Sequence, residues 1–224
     1  MATIGELNQS DLHEQLKMEY SRGEGEIEAR VDGFIVDVRL PDELVEIQTS
    51  RLGKLRTKLE KLANHHRIRL VHPVPASKII AHVDARSNEL ARRRSPKRGR
   101  LEDAFGEIAD IASVLLNRNI TLEIALVDVT EYRHADGKGS WRRRGISIVG
   151  RRLDMIVSRK EFRTGADYVA LLPEELGREF TNRDLGDITG WRYPAVQAIT
   201  RALRKMGLLA IAGKRERAFL YRRA

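Results

Sequence analysis

Two closely spaced turns between apolar runs constrain this chain more tightly than anything else in it. Asp32-Gly33 is the preferred dipeptide for a two-residue type I′ hairpin. Its flanks, Glu26–Val31 and Phe34–Arg39, are rich in β-branched and apolar residues. A second turn signal, Leu-Pro-Asp-Glu at residues 40–43, leads into a further β pattern over residues 44–49. The spacing predicts that Val31 pairs with Phe34 and Glu28 with Asp37. Side chains alternate between faces of a strand, so Glu26, Glu28 and Asp37 share one face, and Glu46 and Gln48 share a face on the next strand.

Asp37 and Glu46 stand among Ile35, Val36, Val45 and Ile47. A carboxylate in an apolar strand is costly unless something pairs with it, and a divalent ion is the usual partner where two converge. The ordinary alternative is a solvent-facing pair with Arg39 or Arg30. Their apolar neighbours make both strands read as central and weigh against it. For the six histidines no pair has metal-ligand spacing on one helix face, so each reads as structural or near a nucleic-acid partner.

Composition sets the outer limits. A chain of 224 residues holds one large or two small domains, and 42% hydrophobic content is enough for a core. A net charge of +9 and a pI near 10.0 favour a polyanionic partner. With no cysteine, disulfides and thiolate metal sites are excluded, which is compatible with a reducing cytoplasm, the expected location. No apolar run reaches the length of a membrane span, so no membrane association is expected. The first residues, Met-Ala-Thr-Ile-Gly-Glu, lack a basic region followed by an apolar core, so no secretory signal is expected. At 5% aromatics, a stacking platform for single-stranded nucleic acid has little support.

An Asp, a short turn, then Glu-x-Gln on the next strand resembles the PD-(D/E)XK nuclease superfamily. That core is a helix, a three-stranded meander, a crossover helix and a further strand. Here residues 11–20 would be the first helix, 52–64 the crossover helix and 67–71 the fourth strand, so the resemblance covers roughly residues 10–84. It implies an α/β fold with a restriction-endonuclease-like mixed sheet flanked by helices. It carries the metal-binding Asp to Asp37 and the Glu to Glu46, while the lysine of the pattern falls on Gln48. Gln can orient a water or a phosphate but supplies no positive charge. Lys54 and Lys58 lie on the crossover helix beside its apolar stripe Leu52, Leu55, Leu59 and Leu62, and Lys58 is the preferred source of an ammonium.

Phosphodiester hydrolysis needs charge stabilisation at phosphorus and an activated water, and one or two divalent ions supply both. Mg²⁺ is satisfied by one or two carboxylates plus substrate phosphate. The resemblance implies Mg²⁺, with Mn²⁺ as a substitute, held by Asp37, Glu46 and the carbonyl of Ile47. Glu14 on the first helix is the candidate third carboxylate, in competition with Glu26 and Glu28. Its ordinary reading is a helix-surface charge paired with Lys17 three residues on.

The last quarter of the chain reads as helices followed by a hairpin. Residues 168–172 form a short helix ended near Pro173, and residues 180–190 a helix with Thr181 as N-cap and Gly190 as stop. Residues 193–206 form a third helix with Pro194 in its first turn. Residues 208–212 and 217–221 pair around a tip at 213–216. This order is similar to the winged helix-turn-helix family. By that resemblance the third helix enters the major groove, with Trp191, Arg192, Tyr193, Gln197, Arg201 and Arg204 exposed. Lys214 and Arg215 at the wing tip would contact phosphate or the minor groove. The alternative is a winged helix used for protein contact or dimerisation.

Between these modules, residues 91–100 read as a basic loop and residues 141–145 as a second basic segment. Lys97, Arg98, Arg142 and Arg143 are their candidate phosphate contacts. Residues 101–116 read as an amphipathic helix, 121–130 as a buried strand, 146–149 as a strand and 152–156 as the start of a helix. The expected organisation is a nuclease domain over residues 1–160 and a winged-helix domain over 161–224. The expected function is Mg²⁺-dependent cleavage of DNA, double-stranded or branched, and the family's habit of pairing two sites makes a homodimer an option. Two other readings stand beside it: a catalytically inactive DNA-binding factor on a nuclease-like scaffold, signalled by Gln48, and an RNA-processing endonuclease.

Overall fold

The structure, a computed structural model, describes residues 11–224, so the expectation about a secretory signal lies outside the described residues. The fold is α/β. Seven strands make one mixed sheet with helices around it, and three more make a small separate sheet. The chain divides into two compact units, each drawn from several segments. The first takes residues 11–41, Pro73–Arg100 and Ala125–Arg159. The second takes Asp42–His72, Leu101–Ile124 and Lys160–Ala224.

In the first unit, helix α1 (Asp11–Ser21) precedes the hairpin of β1 (Glu26–Val31) and β2 (Phe34–Arg39). Asp32 and Gly33 have φ of 49° and 81°, the two positive values that a type I′ turn requires. The register is the expected one, with Val31 opposite Phe34, Ala29 opposite Val36 and Ile27 opposite Val38. The unit also holds the later part of β4 (Ile68–Val83) with β5 (Glu89–Arg94) antiparallel to it, the later part of β6 (Ile120–His134), and most of β7 (Ser147–Phe162). Leu16, Tyr20, Ala29, Val36, Val38, Ile80 and Val127 form its buried apolar set.

In the second unit, β3 (Leu44–Ile47) runs parallel to the start of β4, with Leu44 opposite Ile68 and Ile47 opposite Val71. A parallel neighbour needs a crossover. Here it is a 3₁₀ turn, Leu52–Leu55, continued by α2 (Arg56–Leu62). Leu52, Leu55, Leu59 and Leu62 are buried, as their helical spacing predicts. Three short helical pieces follow: 3₁₀ turns at Leu101–Ala104 and Ala112–Val114, and α3 (Phe105–Ile108) between them. After β7 come α4 (Gly165–Val169), β8 (Glu179–Phe180), α5 (Asn182–Thr189), α6 (Tyr193–Lys205), β9 (Leu209–Arg215) and β10 (Ala218–Arg223). Thr181 caps α5 in a reciprocal capping box with Asp184, and Gly190 ends it at φ 66°. The rings of Phe162 and Tyr168 stack at 4.9 Å within a buried core that includes Phe105, Phe180, Val196, Ile199 and Leu203.

Several expected elements are corrected. The fourth strand does not stop at residue 71 but runs through Pro73 and Pro75 to Val83. Residues 91–94, expected in a loop, belong to strand β5. Its side chains are all exposed, so it carries no apolar alternation, and its pairing is with β4 through the main chain. The expected helix over 101–116 is broken, and Ile111 leaves the helical region at φ −117°, ψ 9°. Residues 152–156 belong to a strand, not a helix. They pair with neighbouring β6 in the sheet, and the Thr130 hydroxyl donates to Asp154 at 2.8 Å across the two strands. The last hairpin turns at Glu216-Arg217, since Arg215 pairs with Ala218, so Lys214 and Arg215 lie on β9 rather than at its tip.

Candidate functional site

The expected site residues fall in both units, and each unit builds a polar cluster of its own. In the second, Glu46 sits on a strand whose four residues are all buried, and its own exposure is 6%. Lys58, one turn into α2, places its Nζ 2.5 Å from Glu46 Oε2. The crossover delivers this contact. The apolar stripe of α2 packs inward and leaves Lys58, between Leu55 and Leu59, beside the strand. Ile47 is buried next to Glu46. Gln48 is tied into the following turn: its Nε2 donates to the carbonyl of Ser50, its main-chain N–H donates to Val71 at 2.9 Å, and its carbonyl meets His72 Nδ1 at 2.7 Å. Burial lowers the His72 pKa, which favours a neutral imidazole in that contact. Lys54 is exposed on the preceding 3₁₀ turn.

In the first unit, Asp37 Oδ1 lies 3.3 Å from His13 Nε2, and His13 Nδ1 lies 3.8 Å from Glu14. The α1 histidine, which reads from sequence as structural or near a nucleic-acid partner, joins two of the expected carboxylates. Lys17 is 2% exposed and donates to Glu14 at 2.7 Å and to Glu28 at 2.8 Å. Burial alone would lower the Lys17 pKa, but its hydrogen bonds to the two glutamates outweigh that and raise it. The bond from Lys17 in turn lowers the pKa of Glu28. Glu28 meets Lys17 from a left-handed backbone, φ 56°, inside β1, a conformation that costs an L-residue roughly 1–2 kcal/mol. Among the described residues, no group of three or more His, Asp or Glu side chains is arranged to hold a metal ion.

Sequence reasoning missed two charge clusters. Arg69 on β4 binds Glu43 at 3.0 Å, Glu123 at 2.6 Å and Glu161 at 2.5 Å, and its pKa is raised accordingly. Glu131 on β6 is 1% exposed and takes Lys78 at 2.8 Å, Arg133 at 2.7 Å and Arg151 at 3.1 Å. Burial pushes the Glu131 pKa up, but the bonds from Lys78 and Arg133 more than reverse this and hold it at about 2. Arg69 is 54 and 92 residues from Glu123 and Glu161, and Lys78 is 53 from Glu131, so no local pattern shows these contacts.

The expected nucleic-acid contacts are scattered. Lys97, Arg98, Arg142 and Arg143 are exposed, the last two in a 3₁₀ turn at Trp141–Arg143. Tyr193, Gln197, Arg201 and Arg204 lie along one exposed stripe of α6 and line one groove. Arg192 is drawn to Asp103 at 2.5 and 2.6 Å, and Arg215 to Asp184 at 3.1 Å.

Residues 10–163 match the model of a family described as a domain of unknown function, DUF8091. An uncharacterized protein of Treponema pallidum (strain Nichols) is 32% identical over 222 residues, which cover 99% of this chain and 88% of the relative. No solved structure matches the chain. The family match and the near full-length relative together place this chain in the DUF8091 family.

Proposed function

We propose that the protein is a metal-dependent nuclease that hydrolyses phosphodiester bonds in DNA. The observation that carries this reading is the buried Glu46 carboxylate with the Lys58 ammonium 2.5 Å away, delivered by the helix that links two parallel strands. In the PD-(D/E)XK superfamily, which residues 10–84 resemble, a lysine stands two residues after this carboxylate. Here Gln48 takes that position, and Lys58 supplies the positive charge from the helix instead.

The donor set is suited to a hard cation: carboxylates and a main-chain carbonyl are oxygen ligands, and Mg²⁺ needs only one or two carboxylates besides substrate phosphate. Glu46 and the Ile47 carbonyl would hold it, with Mn²⁺ as a substitute; Asp37 and Glu14 are ligand candidates by the resemblance alone. The bound ion supplies an activated water and charge stabilisation at the phosphate. Lys58 has a flexible four-carbon stem and three donors. Its ammonium can leave Glu46 for a phosphate oxygen and stabilise charge developing there. Gln48, fixed through its main chain to Val71 and His72, would have to release its side chain from the Ser50 carbonyl to hydrogen-bond a water or a phosphate oxygen.

The C-terminal helices and hairpin, similar to a winged helix-turn-helix, hold the nucleic acid in this reading. A second reading, a non-enzymatic DNA-binding factor, is favoured by the Gln48 side chain being turned onto Ser50. The test is incubation with labelled linear, circular, branched and single-stranded DNA in Mg²⁺, Mn²⁺ or EDTA, alongside Asp37→Asn. Metal-dependent cleavage that is lost in the variant supports the nuclease. Binding without cleavage of any substrate, unchanged in the variant, replaces it with the second reading.

A further inference from the structure

An open groove of about 650 Å³ runs along α6 in the second unit. Its floor carries Tyr193, Gln197, Arg201 and Arg204 from the exposed stripe of α6. Its far wall is Arg217 of the hairpin turn and Phe219 of β10, and Arg183 of α5 also lines it. Four of the lining residues are arginines and none is a carboxylate. The wider charge balance points the same way. Residues 191–224 contain nine Lys and Arg against one Glu, while the whole chain has 41 against 32, so all but one of the nine surplus positive charges lie in this segment.

Two aromatic rings border the groove in water: Tyr193 is 57% exposed and Phe219 45%. Lys214 Nζ stands 5.5 Å over the Phe219 ring. Arginines beside solvated aromatic faces are the combination that binds unpaired strands, with phosphates on the cations and bases stacked on the rings.

The shape argues against the expected reading of a duplex. A recognition helix must project into a major groove about 12 Å wide. The stripe of α6 instead faces a concavity walled by β10. Its flanks are tied down by Arg192 to Asp103 and by Lys205 to the Ala109 carbonyl at 2.9 Å. We propose that this groove binds an unpaired nucleic-acid strand, with Arg201, Arg204 and Arg217 on phosphates and Tyr193 and Phe219 under bases. The inference deepens the nuclease reading by naming the form in which the nucleic acid is held. It rests on that reading only for the ligand being nucleic acid.

The test is fluorescence anisotropy of the full chain in EDTA, where cleavage is blocked. The probes are labelled dT12, rU12 and a 12-base-pair DNA duplex. The expected result is binding of at least one single strand roughly tenfold or more tighter than the duplex, the better strand naming the sugar. Tyr193→Ala and Phe219→Ala, both at solvated positions, should each weaken strand binding by roughly tenfold while leaving duplex binding within about twofold. Arg204→Gln should lessen the slope of log affinity against log salt by about 0.7. Duplex binding as tight as strand binding, or strand binding unmoved by both aromatic substitutions, overturns the proposal. Strand binding without cleavage in Mg²⁺ would sink the nuclease reading and leave this one standing. Cleavage without strand preference would do the reverse.

Discussion

Glu46 and Glu131 are both buried carboxylates on strands, and they are compensated in different ways. Glu131 is held by Lys78, Arg133 and Arg151, all from strands of the first unit, and three cations on one anion more than neutralise it. Glu46 meets the ammonium of Lys58, the end of a long side chain on a helix. A charge fixed by several strand-borne partners is built to stay. A carboxylate met by an ammonium on a flexible four-carbon stem can exchange that partner for another cation. The difference separates a carboxylate that stabilises the sheet from one that is suited to chemistry. Arg69, ringed by Glu43, Glu123 and Glu161, repeats the first arrangement with the signs reversed.

The comparison breaks first on stability. Removing one member of a buried ionic group typically costs 3–5 kcal/mol because the others remain. Glu131→Gln should therefore lower unfolding free energy by roughly 3 kcal/mol at pH 7 in urea melts. A loss below about 1 kcal/mol would make the cluster a surface feature. Lys58→Met should cost roughly 2–3 kcal/mol by leaving Glu46 buried and charged. Adding Glu46→Leu should restore most of that, because the uncompensated charge is gone. If the double variant is no more stable than Lys58→Met, the pair is not coupled.

Acid sharpens the contrast. The folded-state pKa of Glu131 lies at about 2, below its ordinary 4.5, so its contribution is complete above pH 4.5 and is lost as pH falls from there toward 2. Wild-type stability should drop across that window, and Glu131→Gln should flatten the drop. An unchanged acid limb in the variant would assign the loss to other groups. The smallest effect is on rate: if Lys58 does the work of the lysine absent at position 48, Gln48→Lys should recover about tenfold of the cleavage lost in Lys58→Met. No recovery would detach Lys58 from the chemistry.

What could be read from the sequence followed from locality. Asp32-Gly33 set the turn and the register of β1 and β2, because two positive φ values admit few dipeptides. Thr181, Asp184 and Gly190 marked both ends of α5. The Leu52, Leu55, Leu59 and Leu62 spacing placed the crossover, and with it Lys58 beside Glu46. The misses were of two kinds. β5 and β7 have largely exposed side chains, so no alternation betrays strands held by main-chain pairing. The ionic clusters of Arg69 and Glu131 join residues from separate strands, and Lys17, which looked like a surface partner for Glu14, is buried because Glu28 reaches it from β1. Lys214 and Arg215 lie on β9 rather than in the tip expected over 213–216, because the chain turns only at Glu216, whose φ is 56°.

The most direct test of the central claim is single-turnover cleavage of labelled DNA in Mg²⁺ by wild type, Glu46→Ala and Glu131→Gln, each corrected for its folded fraction. The account predicts metal-dependent cleavage by wild type, a loss of about a thousandfold in Glu46→Ala, and near wild-type rates in whatever Glu131→Gln remains folded. Equal losses in the two variants, or no metal-dependent cleavage by wild type on any DNA, would contradict it.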